Sequence, residues 1–498
     1  MLRKISRQSL ALLHWDSAIA RNSIFLLSAE AIRTAVNFFL SALLGRYLQP
    51  EGLGIFKFVV NFTILFAVMT DAGISRVAVR RMARAPLTQH NSIHGLLFSA
   101  RLILSFAAFT ILVASLAILP SSQVHTDVRF LCAIYMWSQM FQAFRKNPEV
   151  VWQARQQLHY HAYFAISNRV LMLVGVTLAV VFRAPLWFII CTYVAVDFLD
   201  CAAANWYLYR NFSKPQWPAS KRPVMSLLRE ALPFGLQNLA QQLRYYFDVV
   251  LMKFLFTNAG SVADRQIGLY ASATPFVLSL LFIPTSFAGA VYPELARTFL
   301  ADRKHFCKLT AATLTLLYLV ASSLALLLYF GRTLLIPLTY GKNFSPAIPL
   351  LGILAWMLPG IFLNTGLLVV YAAADRQNIL TNANWAAALG KIFLSWLLIP
   401  KLGAVGAALA GIISETVITV VLLGILVITL PSAFSARGFA AITLAQGLYF
   451  LACTAVQSYP YVLAAFVTIQ ALGATIGAYF ALKHFREKTK TSEIASVT

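Results

Sequence analysis

Residues 22–44 read NSIFLLSAEAIRTAVNFFLSALL, and their character decides the class of fold. As a helix, this stretch is long enough to cross the ~30 Å hydrocarbon core of a bilayer. Glu30, Arg33 and Asn37 interrupt the apolar run at positions i, i+3 and i+7, which places them on one face of the helix. Charged side chains inside a membrane helix are costly and normally face a protein interior or a water-filled cavity. We therefore predict a first membrane span with a functional polar face.

The same pattern returns in a later apolar stretch at residues 231–256. Gln241, Arg244 and Asp248 have the same spacing, and each lies 211 residues after its counterpart in the first stripe. Two helices with matching polar stripes indicate that the chain consists of two related halves.

A weaker repeat supports this interpretation. Residues 53–56 (LGIF) resemble residues 267–270 (IGLY) at an offset of 214 residues. Six predicted spans, an even number, separate the equivalent positions. The halves are therefore expected to share one orientation and to be related by a pseudo-two-fold axis along the membrane normal.

The chain as a whole is too apolar for a soluble protein. Of its 498 residues, 59% are hydrophobic and 11% are charged, against ~25% charged residues in soluble domains. We predict an all-α polytopic membrane protein with about 14 transmembrane helices, two pseudo-symmetric six-helix lobes and two extra C-terminal helices. The predicted spans are 22–44, 53–74, 94–119, 126–144, 161–182, 186–209, 231–256, 266–290, 307–330, 344–371, 378–399, 404–429, 438–457 and 461–482.

The predicted domains follow from these spans. They are a cytoplasmic N-terminus (1–21), an N-terminal six-helix lobe (22–209), a cytoplasmic linker (210–230), a C-terminal six-helix lobe (231–429), two additional transmembrane helices (430–482) and a cytoplasmic tail (483–498). Pro284, Pro337 and Pro359 fall within or beside spans and are expected to kink or break them.

The net charge of +23 is explained by membrane topology rather than by nucleic-acid binding. With the N-terminus in the cytoplasm, 26 Lys and Arg residues fall in cytoplasmic segments and six in outer loops. This bias follows the positive-inside rule and predicts that both termini are cytoplasmic.

Three further ionisable residues lie deep in predicted spans. Lys391 is a candidate for a substrate-facing residue, and the single acids Asp197 and Glu415 are candidates for binding a coupling proton or sodium ion. Pairing of the acids with Arg169 or Lys391 is the alternative. Four basic residues near span ends are expected to snorkel towards the membrane surface; they are Lys57, Arg101, Arg129 and Lys253.

The sequence contains no signal for enzymatic chemistry. The five cysteines are scattered and the eight histidines lack metal-ligand spacing, so no metal site and no cofactor are predicted. A nucleotide-binding P-loop sequence is missing, which argues against ATP hydrolysis by this chain.

The first loop carries a family resemblance. Residues 45–56 (GRYLQPEGLGIF) resemble the polysaccharide flippases of the Wzx type, whose first loop has a pattern like R-x-L-G-P-x-x-F/Y-G. The likeness continues at residues 71–75, 79–84, 268–270, 292–297 and 399–408. One departure is Gln49, where the family often has glycine.

The resemblance implies a member of the multidrug/oligosaccharidyl-lipid/polysaccharide exporter superfamily, with two lobes around a central cavity and an alternating-access mechanism. It implies a flippase that moves a polyprenyl-diphosphate-linked oligosaccharide across the bacterial inner membrane for surface polysaccharide such as O-antigen. The implied partners are this lipid-linked oligosaccharide, membrane lipids and a polysaccharide polymerase or other assembly proteins.

Two roles remain open for the polar stripes. Arg33 and Arg244 suit the substrate's diphosphate because a guanidinium is always charged and binds phosphate oxygens bidentately. Alternatively, each arginine forms only an internal ion pair, with Glu30 and Asp248 respectively.

Two alternative functions also remain open. An ion-coupled multidrug or small-molecule antiporter of the same fold would need acids in its cavity more than arginines. A membrane glycosyltransferase or polymerase would need a catalytic acid or a large outer loop.

Overall fold

A computed structural model describes residues 2–120, 124–217, 222–256 and 260–429. This part of the chain is helical and contains no strand, as expected where a bilayer leaves backbone groups without water. The helices are α1 (Leu2–Asp71), α2 (Ile74–Arg84), α3 (His90–Ile118), α4 (Thr126–Ala154), α5 (Leu158–Val181), α6 (Leu186–Asn211), α7 (Arg222–Leu255), α8 (Gly260–Leu278), α9 (Phe282–Ala301), α10 (Arg303–Tyr340), α11 (Ile348–Ala355), α12 (Met357–Ala373), α13 (Gln377–Leu402) and α14 (Ala404–Thr429).

These helices account for the first twelve predicted spans and confirm the fold class. Within the described ranges, nine helical segments are long and apolar enough to cross a membrane. Helices α4 and α7 are not among them, because polar residues lower their mean hydropathy. The predicted spans at 438–457 and 461–482 lie outside the described residues.

Helix α1 contains the first two predicted spans and is kinked between them. Gln49 has φ 59° and ψ 175°, and Pro50 follows it. Proline cannot donate to the helical ladder and disfavours helical backbone in the residue before it. A positive φ costs a non-glycine residue ~1–3 kcal/mol. The departure from the family pattern therefore lies at a position whose backbone favours glycine.

Two of the three marked prolines coincide with breaks in predicted spans. A proline ring clashes with the carbonyl four residues earlier. For Pro284 this carbonyl lies in the 3₁₀ turn Ser279–Leu281, and for Pro359 it belongs to Ala355, where α11 ends. Pro337 stays inside α10.

The described residues divide into two compact units, one ending at Ala271 and the other beginning at Ser272. In the first unit, an apolar core forms where α2, α3 and α4 meet the start of α7, with Ile74, Leu97, Val151 and Leu227 at its centre. In the second unit, the core joins α9, α10, α12, α13 and α14. The lobes and the linker predicted from the sequence remain predictions.

Candidate functional site

The polar face of α1 carries an ion pair that is half exposed. Arg33 Nε donates to Glu30 Oε2 at 2.8 Å, and Arg33 Nη2 donates to Glu30 Oε1. The Arg33 side chain is 43% exposed and that of Glu30 42%. This exposure leaves the guanidinium accessible to a second anion that approaches from outside α1.

Residues on two other helices lie close to Arg33. Tyr246 of α7 and Arg169 of α5 are near enough to interact with it electrostatically. The positive charges of Arg33 and Arg169 repel each other, and an anionic ligand bound near them would lower this repulsion. From the sequence, Arg169 was predicted only as a partner for a buried acid, although the adjacent Ser167 and Asn168 mark this part of the span as polar.

The stripe on α7 is more buried than the stripe on α1. Arg244 is 7% exposed, and its guanidinium carbon lies 5.7 Å from the centre of the Tyr245 ring. Asp248 is 2% exposed and accepts a hydrogen bond from Tyr270 Oη at 3.0 Å. Gln241, like Asn37 on α1, is exposed. Each stripe therefore has one exposed amide beside its ionic residues.

Asp197 of α6 is buried among neutral hydrogen-bond donors. Its Oδ2 accepts from Ser138 Oγ at 2.5 Å and from Gln142 Nε2 at 2.9 Å, and its Oδ1 accepts from Asn168 Nδ2 at 3.2 Å. Arg169 acts on this carboxylate electrostatically, and no ion pair within the described residues includes Asp197. A buried carboxylate held in this way is suited to bind a proton or a small cation.

Glu415 of α14 has a related environment in the second unit. It is 1% exposed, and its Oε2 accepts from Asn364 Nδ2 at 2.9 Å. The Oδ1 of Asn364 in turn accepts from Thr419 Oγ1 at 3.0 Å. The two units thus share one arrangement. In each predicted half, a carboxylate on the sixth span accepts a hydrogen bond from an amide side chain on the fourth span.

Lys391 of α13, in the same unit as Glu415, is buried at 3% exposure.

The hydrogen-bond partners of Asp197 and Glu415 were not predicted from the sequence. Ser138 and Gln142 are spaced i, i+4 on α4, which places them on one face of that helix. This spacing was the available signal. No comparable spacing predicts Asn168 or Asn364 as the partner of an acid on another helix, although polar residues adjoin both: Ser167 and Arg169 flank Asn168, and Thr365 follows Asn364.

Two of the basic residues expected to snorkel are instead buried in ion pairs. Arg101 is fully buried, and its Nη2 donates to Asp71 Oδ1 and to Ser75 Oγ, both at 2.7 Å. Lys253 Nζ lies 2.6 Å from Asp264 Oδ1, with its side chain only 2% exposed. The expectation was wrong because neighbouring helices supply carboxylates at these depths.

Arg145 lies in the predicted cytoplasmic segment between spans 126–144 and 161–182, but its side chain is also buried. Helix α4 continues past the predicted span, and Arg145 Nε donates to Asp200 Oδ2 at 2.9 Å. Its guanidinium carbon lies 5.5 Å from the Trp152 ring centre and 5.4 Å from that of Phe164. Cation–π contacts of this kind stabilise a buried guanidinium.

The fold and these apolar helices define a polytopic helical membrane protein with buried and half-exposed polar residues in its spans. The family model described as polysaccharide biosynthesis protein matches residues 19–299, more than half of the chain. The chain belongs to this family, which confirms the resemblance seen in the first loop.

Known proteins of similar sequence and structure agree. A protein of Shigella flexneri named "Putative O-antigen transporter" is 21% identical over 418 residues, covering 79% of this chain and 94% of that protein. The lipid II flippase MurJ, in an inward closed conformation, aligns with a TM-score of 0.73 and 16% identity over 92% of this chain and 99% of that one. An inward-facing multidrug resistance MATE family transporter of the MOP superfamily aligns with a TM-score of 0.55 and 16% identity over 80% and 96%.

Proposed function

We propose that the protein flips a polyprenyl-diphosphate-linked oligosaccharide repeat unit across the bacterial inner membrane for the assembly of a surface polysaccharide such as O-antigen. The observation that carries this proposal is the half-exposed Arg33 of α1, with Arg169 close to it, in a chain of the polysaccharide biosynthesis protein family. The diphosphate is the part of such a substrate that crosses hydrocarbon least readily, and arginine is the side chain best suited to bind it.

In this mechanism the substrate's diphosphate competes with Glu30 for Arg33. Because the existing pair joins two residues of the same helix, its loss leaves the contacts of α1 with its neighbours in place. The other proposed substrate-facing residues complete a cationic central cavity with polar walls for the sugar; they are Asn37, Gln241, Arg244, Asp248 and Lys391. Alternating access then exposes this cavity to one leaflet at a time.

We propose Asp197 and Glu415 as the ion-coupling sites. Both carboxylates are buried and accept a 2.9 Å hydrogen bond from an amide. Either could gain and lose a proton during transport. An amide that turns its oxygen inward would instead help the carboxylate bind Na⁺, because an Asn or Gln side chain offers either atom.

A multidrug or small-molecule antiporter is the second candidate function. The likeness in fold to a MATE family transporter and the two buried acids favour it. The exposed arginine favours the anionic substrate instead.

In the flippase proposal both termini are cytoplasmic, and a polysaccharide polymerase is the expected partner for the flipped product.

Reconstitution tests the choice between the two. Purified protein in vesicles is supplied with a fluorescent polyprenyl-diphosphate oligosaccharide on one leaflet, and its arrival on the other leaflet is followed by membrane-impermeant quenching. The proposal expects protein-dependent arrival. Transport of an organic cation without any movement of the lipid-linked sugar would establish the antiporter instead.

A further inference from the structure

Two glycines from the repeated segments make reciprocal contacts with the backbone of each other's segment. A methyl group added at Gly54 would lie 1.8 Å from the carbonyl oxygen of Asp264, and one added at Gly268 would lie 1.8 Å from the carbonyl oxygen of Pro50. Gly54 and Gly268 are 214 residues apart, and so are Pro50 and Asp264. Equivalent residues of the internal repeat therefore meet in one symmetric contact between α1 and α8.

Only glycine permits this contact. Backbone carbonyls cannot rotate away as a side chain can, so any Cβ at either position would push the two helices apart. Close approach of helices through glycine, with Cα–H groups directed at carbonyl oxygens, is a common packing mode inside membranes. The kink at Gln49 immediately precedes the Pro50 carbonyl that meets α8.

A buried ion pair and two phenylalanine rings lie beside the glycines. Lys253 of α7 and Asp264 of α8 form their 2.6 Å ion pair here, with side chains 2% and 8% exposed. The Lys253 ammonium lies 5.8 Å from the ring centre of Phe58, and Phe254 meets Phe58 edge-on at 6.1 Å between ring centres. The two charges next to the glycine contact are therefore buried.

We propose that Gly54 and Gly268 form a gate that closes one end of the transport path and must separate in each cycle. The contact joins equivalent segments of two repeats, and repeat transporters work by moving one repeat against the other. At its centre are two approaches of a glycine to a backbone carbonyl beside one ion pair, Lys253–Asp264. The inference rests on the transport function proposed above.

Two exposed residues at the edge of the contact allow a direct test. Glu51 and Arg265 follow Pro50 and Asp264, are equivalent in the repeat, and are both exposed. Glu51 is also close enough to Asp264 to interact electrostatically. Cysteines would replace Glu51 and Arg265 in a chain whose five native cysteines have been removed. A short reducible cross-linker would then be applied, and flipping of a fluorescent lipid-linked oligosaccharide would be measured in vesicles.

The gate predicts that the two cysteines are cross-linked, that flipping falls to background, and that a reductant restores it. A failure to cross-link, or flipping at the unlinked rate by the linked protein, would overturn the gate. Absence of flipping by the unlinked protein would instead overturn the proposed transport function.

Substitution of the glycines provides a second measurement. Gly54→Ala and Gly268→Ala should each lower the yield of the 51–265 cross-link several-fold. Gly424→Ala is the matched control, since nothing lies within 4 Å of a methyl group added there, and it should leave the yield unchanged. Unchanged yields in both gate variants would contradict the proposal. If an alanine variant does not fold, the gate is tested by the effect of the 51–265 cross-link on flipping in the protein that keeps both glycines.

Discussion

Gln142 Nε2 donates to the buried carboxylate of Asp197 at 2.9 Å, a bond matched in the second unit by that from Asn364 to Glu415 at the same distance. Both acids lie on the last helix of their predicted half, and both amides lie on the fourth. The same pair of an acid and an amide thus occurs in both predicted halves, although buried polar groups are costly inside a membrane. We propose that the two pairs share a role in ion coupling.

The first prediction concerns this role. Asp197→Asn and Glu415→Gln keep the size of each side chain but remove the charge that binds a proton or a sodium ion. We expect at least one variant to lose the dependence of flipping on an imposed gradient, measured in vesicles with a proton or a sodium gradient. Full gradient dependence in both variants would eliminate the coupling proposal.

The second prediction concerns the buried pair of Arg101 and Asp71. Removing one partner of a buried ion pair leaves an uncompensated charge and costs ~3–5 kcal/mol. Arg101→Met should therefore lower the thermal stability of the protein in detergent markedly, and Arg101→Met with Asp71→Leu should recover much of it. The control is Arg80→Gln, whose ion pair with Glu230 is exposed, and whose effect should stay within ~0–1 kcal/mol. If Arg80→Gln and Arg101→Met lower the thermal stability equally, burial does not determine how much these ion pairs stabilise the protein.

The third prediction concerns the kink at Gln49. Glycine relieves the strain of a positive φ, which costs ~1–3 kcal/mol, although it also loses the bond from Gln49 Nε2 to the Arg46 carbonyl. Alanine loses the same bond without relieving the strain. Gln49→Gly should therefore be more stable than Gln49→Ala in a thermal unfolding measurement. The backbone assignment is incorrect if the alanine variant is as stable as the glycine variant.

The fourth prediction concerns membrane topology. The charge bias places residues 214–222 and the C-terminal tail in the cytoplasm and Gly341 outside. Reporter fusions within 214–222 and after Lys490 should be active in the cytoplasm, and one at Gly341 should be active in the periplasm. A periplasmic signal at 214–222 would overturn the assignment of spans.

The sequence predicts the helices well because a bilayer requires long apolar helices. The twelve predicted spans in the described part of the chain are helical, and breaks occur four residues before Pro284 and Pro359 because of local ring geometry. These features depend on residues that are neighbours in the chain.

The partners of the polar residues were less predictable because they come from other helices. Asp197 lies beside Asn168 only after α5 and α6 pack together, and Arg145 is buried only because Asp200 and the rings of Trp152 and Phe164 surround it. Spacing within one helix predicts which residues share a face, but it does not predict which helix that face meets.

The fifth prediction concerns Arg33. A charge-assisted hydrogen bond contributes ~1.5–3 kcal/mol, so Arg33→Ala should weaken binding of the diphosphate by roughly 10- to 150-fold. Arg33→Lys keeps the charge but loses the bidentate geometry and should retain part of the activity. If Arg33 is only a structural partner of Glu30, the substitution Arg33→Ala should instead lower expression. Its combination with Glu30→Gln should then restore both folding and transport.

The most direct test of the flippase account is the flipping rate of a polyprenyl-diphosphate oligosaccharide by the wild type, Arg33→Ala and the double variant Glu30→Gln with Arg33→Ala. All three would be reconstituted at equal protein density. The account predicts rapid flipping by the wild type and little by either variant, with the double variant folded but inactive. A double variant that flips the substrate at the wild-type rate would contradict the account and leave Arg33 with a structural role only.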